Sequence, residues 1–187
     1  MAQAKAGATV DDLYRAKGKA EIVGGELVLM SPTGFLPGRA GYVICNHLRR
    51  YEEETGSGYA IPDNVGIVVA LPNRGSFSPD ASFYVGEPRK SKFLEGAPVF
   101  AAEVRSEDDY GPAAERRLAA KRADYFAAGT RVVWDVDVLR EEVVRSYLAE
   151  PALEPRVFGR GEAADAEPAL PGWTMPVDEL FKGNPQG

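Results

Sequence analysis

The sequence predicts a mixed α/β chain, an α/β or α+β domain in which helices pack on a central mixed β-sheet. Three observations carry this. Segments of helical period and of period two succeed one another as helix, hairpin, helix, several strands, helix, strands. The length, 187 residues, suits one domain. A hydrophobic share of 44% with 27% charged residues belongs to a chain that buries a core, not to a disordered one.

Each element has a local reason. Thr9 to Lys17 predicts a short helix that Thr9 caps, with Asp12 three residues on completing a capping box. Glu21 to Met30, EIVGGELVLM, predicts a hairpin that turns at Gly24-Gly25. Ser31 to Gly38 holds two prolines and two glycines and predicts a loop. From Arg39 to Thr55, Val43, Ile44, Leu48 and Tyr51 recur at helical spacing, and Gly56 and Gly58 end that helix. Gly66 to Leu71 is an apolar β-branched run. Pro72 to Ser78 predicts a turn, Asp80 to Val85 a second strand and Arg89 to Gly96 a charged loop. Val99 to Arg105, VFAAEVR, predicts a third strand that the polar Ser106 to Pro112 segment breaks. Pro112 to Ala128 predicts a helix, with proline at its start and Gly129 just past its end. Arg131 to Val138 and Glu142 to Ala149 predict strands. Beyond Glu150 the chain is rich in proline and glycine, with a last short element at Val177 to Phe181. There is no repeat and no low-complexity tract. The expectation is a single domain over 1–187, with residues 1–8 and 183–187 as flexible ends.

Composition excludes several classes of function. One cysteine, Cys45, rules out a disulfide framework and a Cys-rich zinc site. One histidine, His47, rules out a histidine-based triad and a multi-histidine metal site. On a helix Cys45 and His47 diverge, which argues against a nucleophilic pair. No phosphate-binding loop or dinucleotide fingerprint occurs. No stretch approaches the ~18 apolar residues of a membrane span, and Met1 to Gly18 lacks the apolar core of a signal peptide, so a cytoplasmic protein is expected. A net charge of −6 argues against non-specific coating of nucleic acid. It leaves room for a local basic face or for an acidic cluster that takes a metal.

One constellation carries chemistry. Pro79-Asp80 opens one strand, and Glu103-Val104-Arg105 closes another 23 residues later. Side chains two apart on a strand share a face, so Glu103 and Arg105 point the same way. If the two strands pair, Asp80 and Glu103 converge, and Glu21 joins them from the hairpin. Carboxylates gathered in a low-dielectric pocket repel unless a cation balances them. Oxygen donors suit Mg²⁺ or Mn²⁺. Lys121 borders the apolar stripe of Ala114, Leu118 and Tyr125 and is placed to enter such a site. Arg105 offers charge but not base chemistry, because guanidinium stays protonated.

These residues resemble a known signature. PD…ExR is similar to the motif of the PD-(D/E)XK nuclease superfamily, with arginine where lysine is usual. The blocks TVDDLYRAKGKAEIVGGELVLMSPTG from Thr9, SPDASF from Ser78, AAEVRSEDD from Ala101, KRADYFAAGTRVVWDVD from Lys121 and LPGWTMPVDELF from Leu170 resemble, in order, those of the Uma-type family of restriction-endonuclease-like proteins. The resemblance spans nearly the whole chain. It implies a restriction-endonuclease-like core and Mg²⁺-dependent hydrolysis of DNA phosphodiesters, with Mn²⁺ as a substitute. By position it implies that Glu21, Asp80 and Glu103 hold the metal together with the Val104 carbonyl. Lys121 replaces the missing strand lysine, and Arg105 supports it. Analogy with nucleases that cut both strands suggests a homodimer. Three departures stand out: Pro37 in place of a histidine, Glu107 in place of a proline and Val138 in place of a proline. None touches the acidic cluster.

Structural readings stand beside these. Asp80 after proline is common turn chemistry. Glu103 suits a salt bridge to Arg105 or Lys121, Glu21 an exposed hairpin position, and Lys121 a surface site over Leu118. Asp135 and Asp137 suit a sheet edge or ion pairs, and Trp134 and Trp173 suit packing. The basic groups Arg49-Arg50, Arg89-Lys90-Lys92 and Arg116-Arg117 with Lys121-Arg122 suit solvated surface, or DNA phosphates if they converge on the acids. The alternative to a nuclease is an inactive binding or assembly protein on the same fold, motivated by the acidic charge and by Arg105 in the lysine position. RNA or a nucleotide phosphate ester is a third substrate class.

Overall fold

The computed structural model describes residues 7–90, 92–150 and 154–183. Helix α1 (Val10–Arg15) opens on a true capping box: the Thr9 side chain accepts from the Asp12 N–H, and the Thr9 N–H donates to Asp12 Oδ2 at 2.9 Å. Strands β1 (Ala20–Val23) and β2 (Glu26–Leu29) form the expected hairpin. Helix α2 (Phe35–Thr55) follows and ends on Gly56 in the left-handed region. Then come β3 (Tyr59–Pro62), β4 (Ile67–Leu71), β5 (Arg74–Phe77), β6 (Ala81–Tyr84), β7 (Leu94–Glu95) and β8 (Phe100–Val104). Helix α3 (Pro112–Ala128) has Pro112 in its first turn and Gly129, at φ 108°, just past its end. The chain closes with β9 (Val132–Val136), β10 (Val144–Leu148), β11 (Arg156–Phe158), β12 (Ala163–Asp165), β13 (Thr174–Pro176) and a 3₁₀ turn at Val177–Phe181.

Two mixed sheets carry the fold. The larger runs β11-β10-β9-β8-β6-β3, parallel at β8/β9 and antiparallel elsewhere. The smaller runs β2-β1-β5-β4-β7, parallel only at β4/β7. Strands β12 and β13 pair on their own.

Period two sorts β8 and β9 between two layers. Phe100 and Ala102 with Trp134 and Val136 pack into a core with Ala40, Ile44 and Leu48 of α2. Ala101 and Val133 pack instead with Tyr125 of α3 and with Ile67 and Phe77 of the smaller sheet. Burial on both faces explains why β9 is buried along its whole length and reads as a near-continuous apolar run. The fold is therefore the mixed α/β arrangement the sequence predicts. Among the described residues no helix is long and apolar enough to cross a membrane.

Some boundaries differ from expectation. The Ser31 to Gly38 loop gives way to α2 at Phe35, because a proline in the first turn of a helix sacrifices no intrahelical bond. Most of the Pro72 to Ser78 turn is strand β5. Its inward residues, Arg74 and Ser76, are polar and buried, so the strand shows no hydrophobic alternation. Strand β3 is a short sheet edge ending in Pro62, and β7 has two residues inside the charged loop. Strands β11 to β13 are three residues each, too short for a period to show. The expected flexible ends lie outside the described residues except Gly7, Ala8 and Gly183, and the Ala8 N–H donates to the Gly25 carbonyl at 2.7 Å.

Candidate active site

Antiparallel pairing of β6 with β8 matches Ala81 to Ala102, which brings Asp80 beside Glu103. The Asp80 N–H donates to the Ala102 carbonyl at 3.1 Å, and the Val104 N–H donates to Asp80 Oδ2 at 2.8 Å. Asp80 is thus fixed to the end of β8 through its backbone and its side chain. Helix α2 passes close by at Gly41. A Cβ there would sit 3.3 Å from both the Cβ and the carbonyl oxygen of Asp80, which explains a glycine inside a helix despite its propensity cost.

Glu21 reaches the same place from β1. It is buried, and all of its acceptor capacity is directed inward. Oε1 accepts from the Ser78 N–H at 2.9 Å and lies 2.9 Å from Lys121 Nζ. Oε2 accepts from Arg74 Nη1 at 2.7 Å. Arg74 in turn donates through Nε to Asp124 Oδ2 at 2.7 Å. Glu103 points to the α3 side of its strand. Its Oε2 accepts from Lys121 Nζ at 2.8 Å and its Oε1 from the Tyr125 hydroxyl at 2.6 Å. Lys121 and Tyr125 are four apart, one turn on a single helix face. Lys19, just before β1, completes the cluster with Nζ 2.7 Å from Asp80 Oδ1 and 2.6 Å from Asp63 Oδ1.

The electrostatics divide the acids. Burial alone would raise the Glu21 carboxyl, but the Lys121 and Arg74 charges outweigh it and hold Glu21 below the usual carboxylate range. Glu103 goes the other way. Burial pushes it up, the Asp80 and Glu21 charges push further, and Lys121 only partly compensates. Burial works against the Lys121 ammonium, yet Glu103 and Glu21 raise it above the ordinary lysine value. Lys19 is raised by Asp80 and Glu103 in the same manner. Burial and the Glu103 charge hold the Tyr125 phenol well above its usual value, so it stays a donor.

The structure brings together Glu21, Asp80, Glu103 and Lys121, and Val104 lies beside them through its N–H. It does not bring Arg105 to them. Arg105 donates to Asp135 through Nε and Nη2, each at 2.7 Å, and to Glu115, and is 5% exposed. Asp135 sits on the central strand β9 in that ion pair, and Asp137 accepts from the Tyr110 hydroxyl at 2.9 Å. Of the basic groups, Arg49 pairs with Glu52 and Glu53, Arg89 with Glu95 and Arg117 with Asp109. Burial pushes the Cys45 thiol up, away from nucleophile chemistry.

Sequence reasoning missed Lys19, Asp63, Arg74 and Asp124, and took Tyr125 for packing only. Lys19 had a usable signal, being two residues before Glu21 at strand spacing. Arg74 was hidden in the presumed turn.

The donor set fits the divalent cation that the resemblance implies. It consists of carboxylates, as hard cations require. Five acids (Glu21, Asp63, Asp80, Glu103, Asp124) face three cations (Lys19, Arg74, Lys121), which leaves two negative charges. Burial raises the Glu103 carboxyl, and the Asp80 and Glu21 charges of that excess raise it further. Preassembly is not part of the fit: among the described residues no three acidic, histidine or cysteine side chains already form a metal site. The lysines stand on the oxygens instead.

Comparison with known proteins gives a fold and a family. No curated protein matches the chain. Among solved structures, the chain is similar to a "putative nuclease belonging to DUF820" from Anabaena variabilis ATCC 29413. The TM-score is 0.73 at 14% sequence identity, over 93% of this chain and 97% of that one. At that identity the likeness shows a shared fold. The family model described as "Putative restriction endonuclease" matches residues 8–178, and the chain therefore belongs to the Uma2 family.

Proposed function

We propose that this chain is a divalent-metal-dependent endonuclease that hydrolyses DNA phosphodiester bonds at the Glu21–Asp80–Glu103–Lys121 cluster. The observation that carries the reading is the meeting of Glu21 from β1 and Glu103 from β8 at one helix lysine, with Asp80, just before β6, fixed to the end of β8 beside Glu103 and acid in excess. Asp80 and Glu103, with Glu21 and the Val104 carbonyl, would hold Mg²⁺ or Mn²⁺. When bound, that ion supplies polarisation of the phosphate and a lowered pKa for a coordinated water.

The chain's own residues do the rest. Lys121 remains an ammonium at neutral pH, so it acts as a fixed positive charge and hydrogen-bond donor toward a phosphate oxygen or the attacking water, not as a base. Tyr125 holds Glu103 from behind and keeps its second oxygen oriented. Glu21 steadies Lys121 through the Arg74–Asp124 pairs. Arg105 takes a structural part, because Asp135 and Glu115 absorb its donors. A cytoplasmic location and a two-fold dimer that cuts both strands complete the proposal.

The test is cleavage of single- and double-stranded DNA and RNA with Mg²⁺ or Mn²⁺, wild type beside Asp80→Ala. Metal-dependent cleavage lost in the variant supports the reading, and the preferred strand names the substrate. One observation favours the inactive alternative: every carboxylate oxygen of Glu21, Asp80 and Glu103 already has a donor in the protein. No cleavage of any substrate by wild type, with no binding of divalent metal, selects that alternative.

A further inference from the structure

The two oxygens of Asp80 are used differently. Oδ2 accepts from the Val104 backbone, which locks the side chain to β8. Oδ1 accepts from Lys19, whose ammonium also touches Asp63 in the segment between β3 and β4. The Asp63 side chain is 48% exposed, against 21% for Asp80. Lys19 therefore bridges an acid inside the cluster and one at its rim. Lys121 has no such outlet, since Glu21 and Glu103 both lie within.

We propose that Lys19 is a tethered counter-ion that competes with the divalent cation for Asp80 and retreats to Asp63 when that cation binds. The inference rests on the metal-dependent reading of the site. An acid without a cation among like charges is costly, so Lys19 balances Asp80 and holds it in place before the metal arrives. Two cations at one carboxylate oxygen repel, so metal and ammonium exclude each other there. Asp63 lowers the cost of the exchange, because Lys19 leaves Asp80 without losing every partner. Lys19 acts through Asp80 and is a positioning residue.

Calorimetric titration with Mn²⁺ of wild type, Lys19→Met, Asp63→Asn and the double variant tests this, with thermal melts to confirm folding. Lys19→Met should bind Mn²⁺ more tightly by about tenfold, within the usual range of coupling between competing ligands. Asp63→Asn should weaken binding, because Lys19 then holds Asp80 alone. In the Lys19→Met background Asp63→Asn should change little, whereas a plain loss of site charge would add. A merely structural Lys19 would loosen metal binding when removed, not tighten it. Unchanged or weaker affinity in a folded Lys19→Met, or additive effects in the double variant, overturns the inference and leaves the nuclease reading standing. If no variant binds Mn²⁺ at millimolar concentration, the metal reading falls and this inference falls with it. Should Lys19→Met not fold, Lys19→Gln takes its place in the same titrations, alone and with Asp63→Asn, with the same outcomes.

Discussion

Two buried charge networks lie on the same face of β8, two residues apart, and they differ in balance. Around Arg105, the Asp135 and Glu115 carboxylates meet Arg105 and the nearby Arg122, whose Nη1 is 3.6 Å from Asp135, so acids and bases are equal in number. Around Glu103, acids outnumber bases by two. Both networks are organised by α3, through Glu115 in its first turn and Lys121 further along. The sequence pattern ExR treats Glu103 and Arg105 as one motif, yet the fold sends them into different networks. A balanced network needs nothing more and reads as structure. In the unbalanced one, burial together with the Asp80 and Glu21 charges holds the Glu103 carboxyl above its usual range, and this is the imbalance that the proposed cation would relieve.

The largest way to break this comparison is to remove an acid from the unbalanced side. Asp80→Ala or Glu103→Ala should lower metal-dependent DNA cleavage by at least about 10²–10³-fold while cooperative melting is retained. Cleavage that survives in both variants would sink the assignment. The converse change, Arg105→Met, should leave Asp135 without its main partner and cost about 3 kcal/mol of stability, read from urea unfolding. Divalent-metal affinity should stay at the wild-type value. A selective loss of metal affinity with full stability would move Arg105 into the site.

Smaller changes sharpen the contrast. Tyr125→Phe removes the 2.6 Å bond to Glu103 but keeps the ring stacked on Phe77 at 3.9 Å between centroids. The expected cost is about 1.5 kcal/mol, as for a hydrogen bond to a charged group. A neutral outcome would mean that Lys121 alone positions Glu103.

The smallest effect concerns pH. The hydrogen bond from Arg105 holds the Glu115 carboxyl below the usual carboxylate range. Stability from that pair is present above the unfolded carboxyl value, near pH ~4.3, and is lost as pH falls through the depressed folded value. Because Glu115 is half exposed, solvent screens it to a few tenths of a kcal/mol, roughly. Glu115→Gln should therefore flatten the acid limb of a stability-against-pH curve only slightly. A change as large as that of Arg105→Met would show that Glu115 belongs to the buried balance.

Much of this was legible in the chain itself. Period and punctuation placed α1, the β1–β2 hairpin and α3, because capping boxes, paired glycines and the proline-to-glycine frame of a helix are local events. The acids Glu21, Asp80 and Glu103 were also legible, since a charged residue at the end of an apolar strand is conspicuous wherever that strand packs. What they touch was not. Strand β5 buries Arg74 and Ser76 on one face, and with Phe77 as its one apolar side chain no hydrophobic pattern announces it. Arg105 and Glu103 share a strand face, but only the placement of α3 and β9 beside β8 sends one to Glu115 and Asp135 and the other to Lys121 and Tyr125. Lys19 comes 61 residues before Asp80, and no local rule pairs them. Sequence by itself determined which residues carry charge and which locally punctuated segments are helix or strand. The tertiary structure alone decided how those charges are matched, because pairing over such separations depends on strand order, and strand order is set by packing on both faces of the sheet.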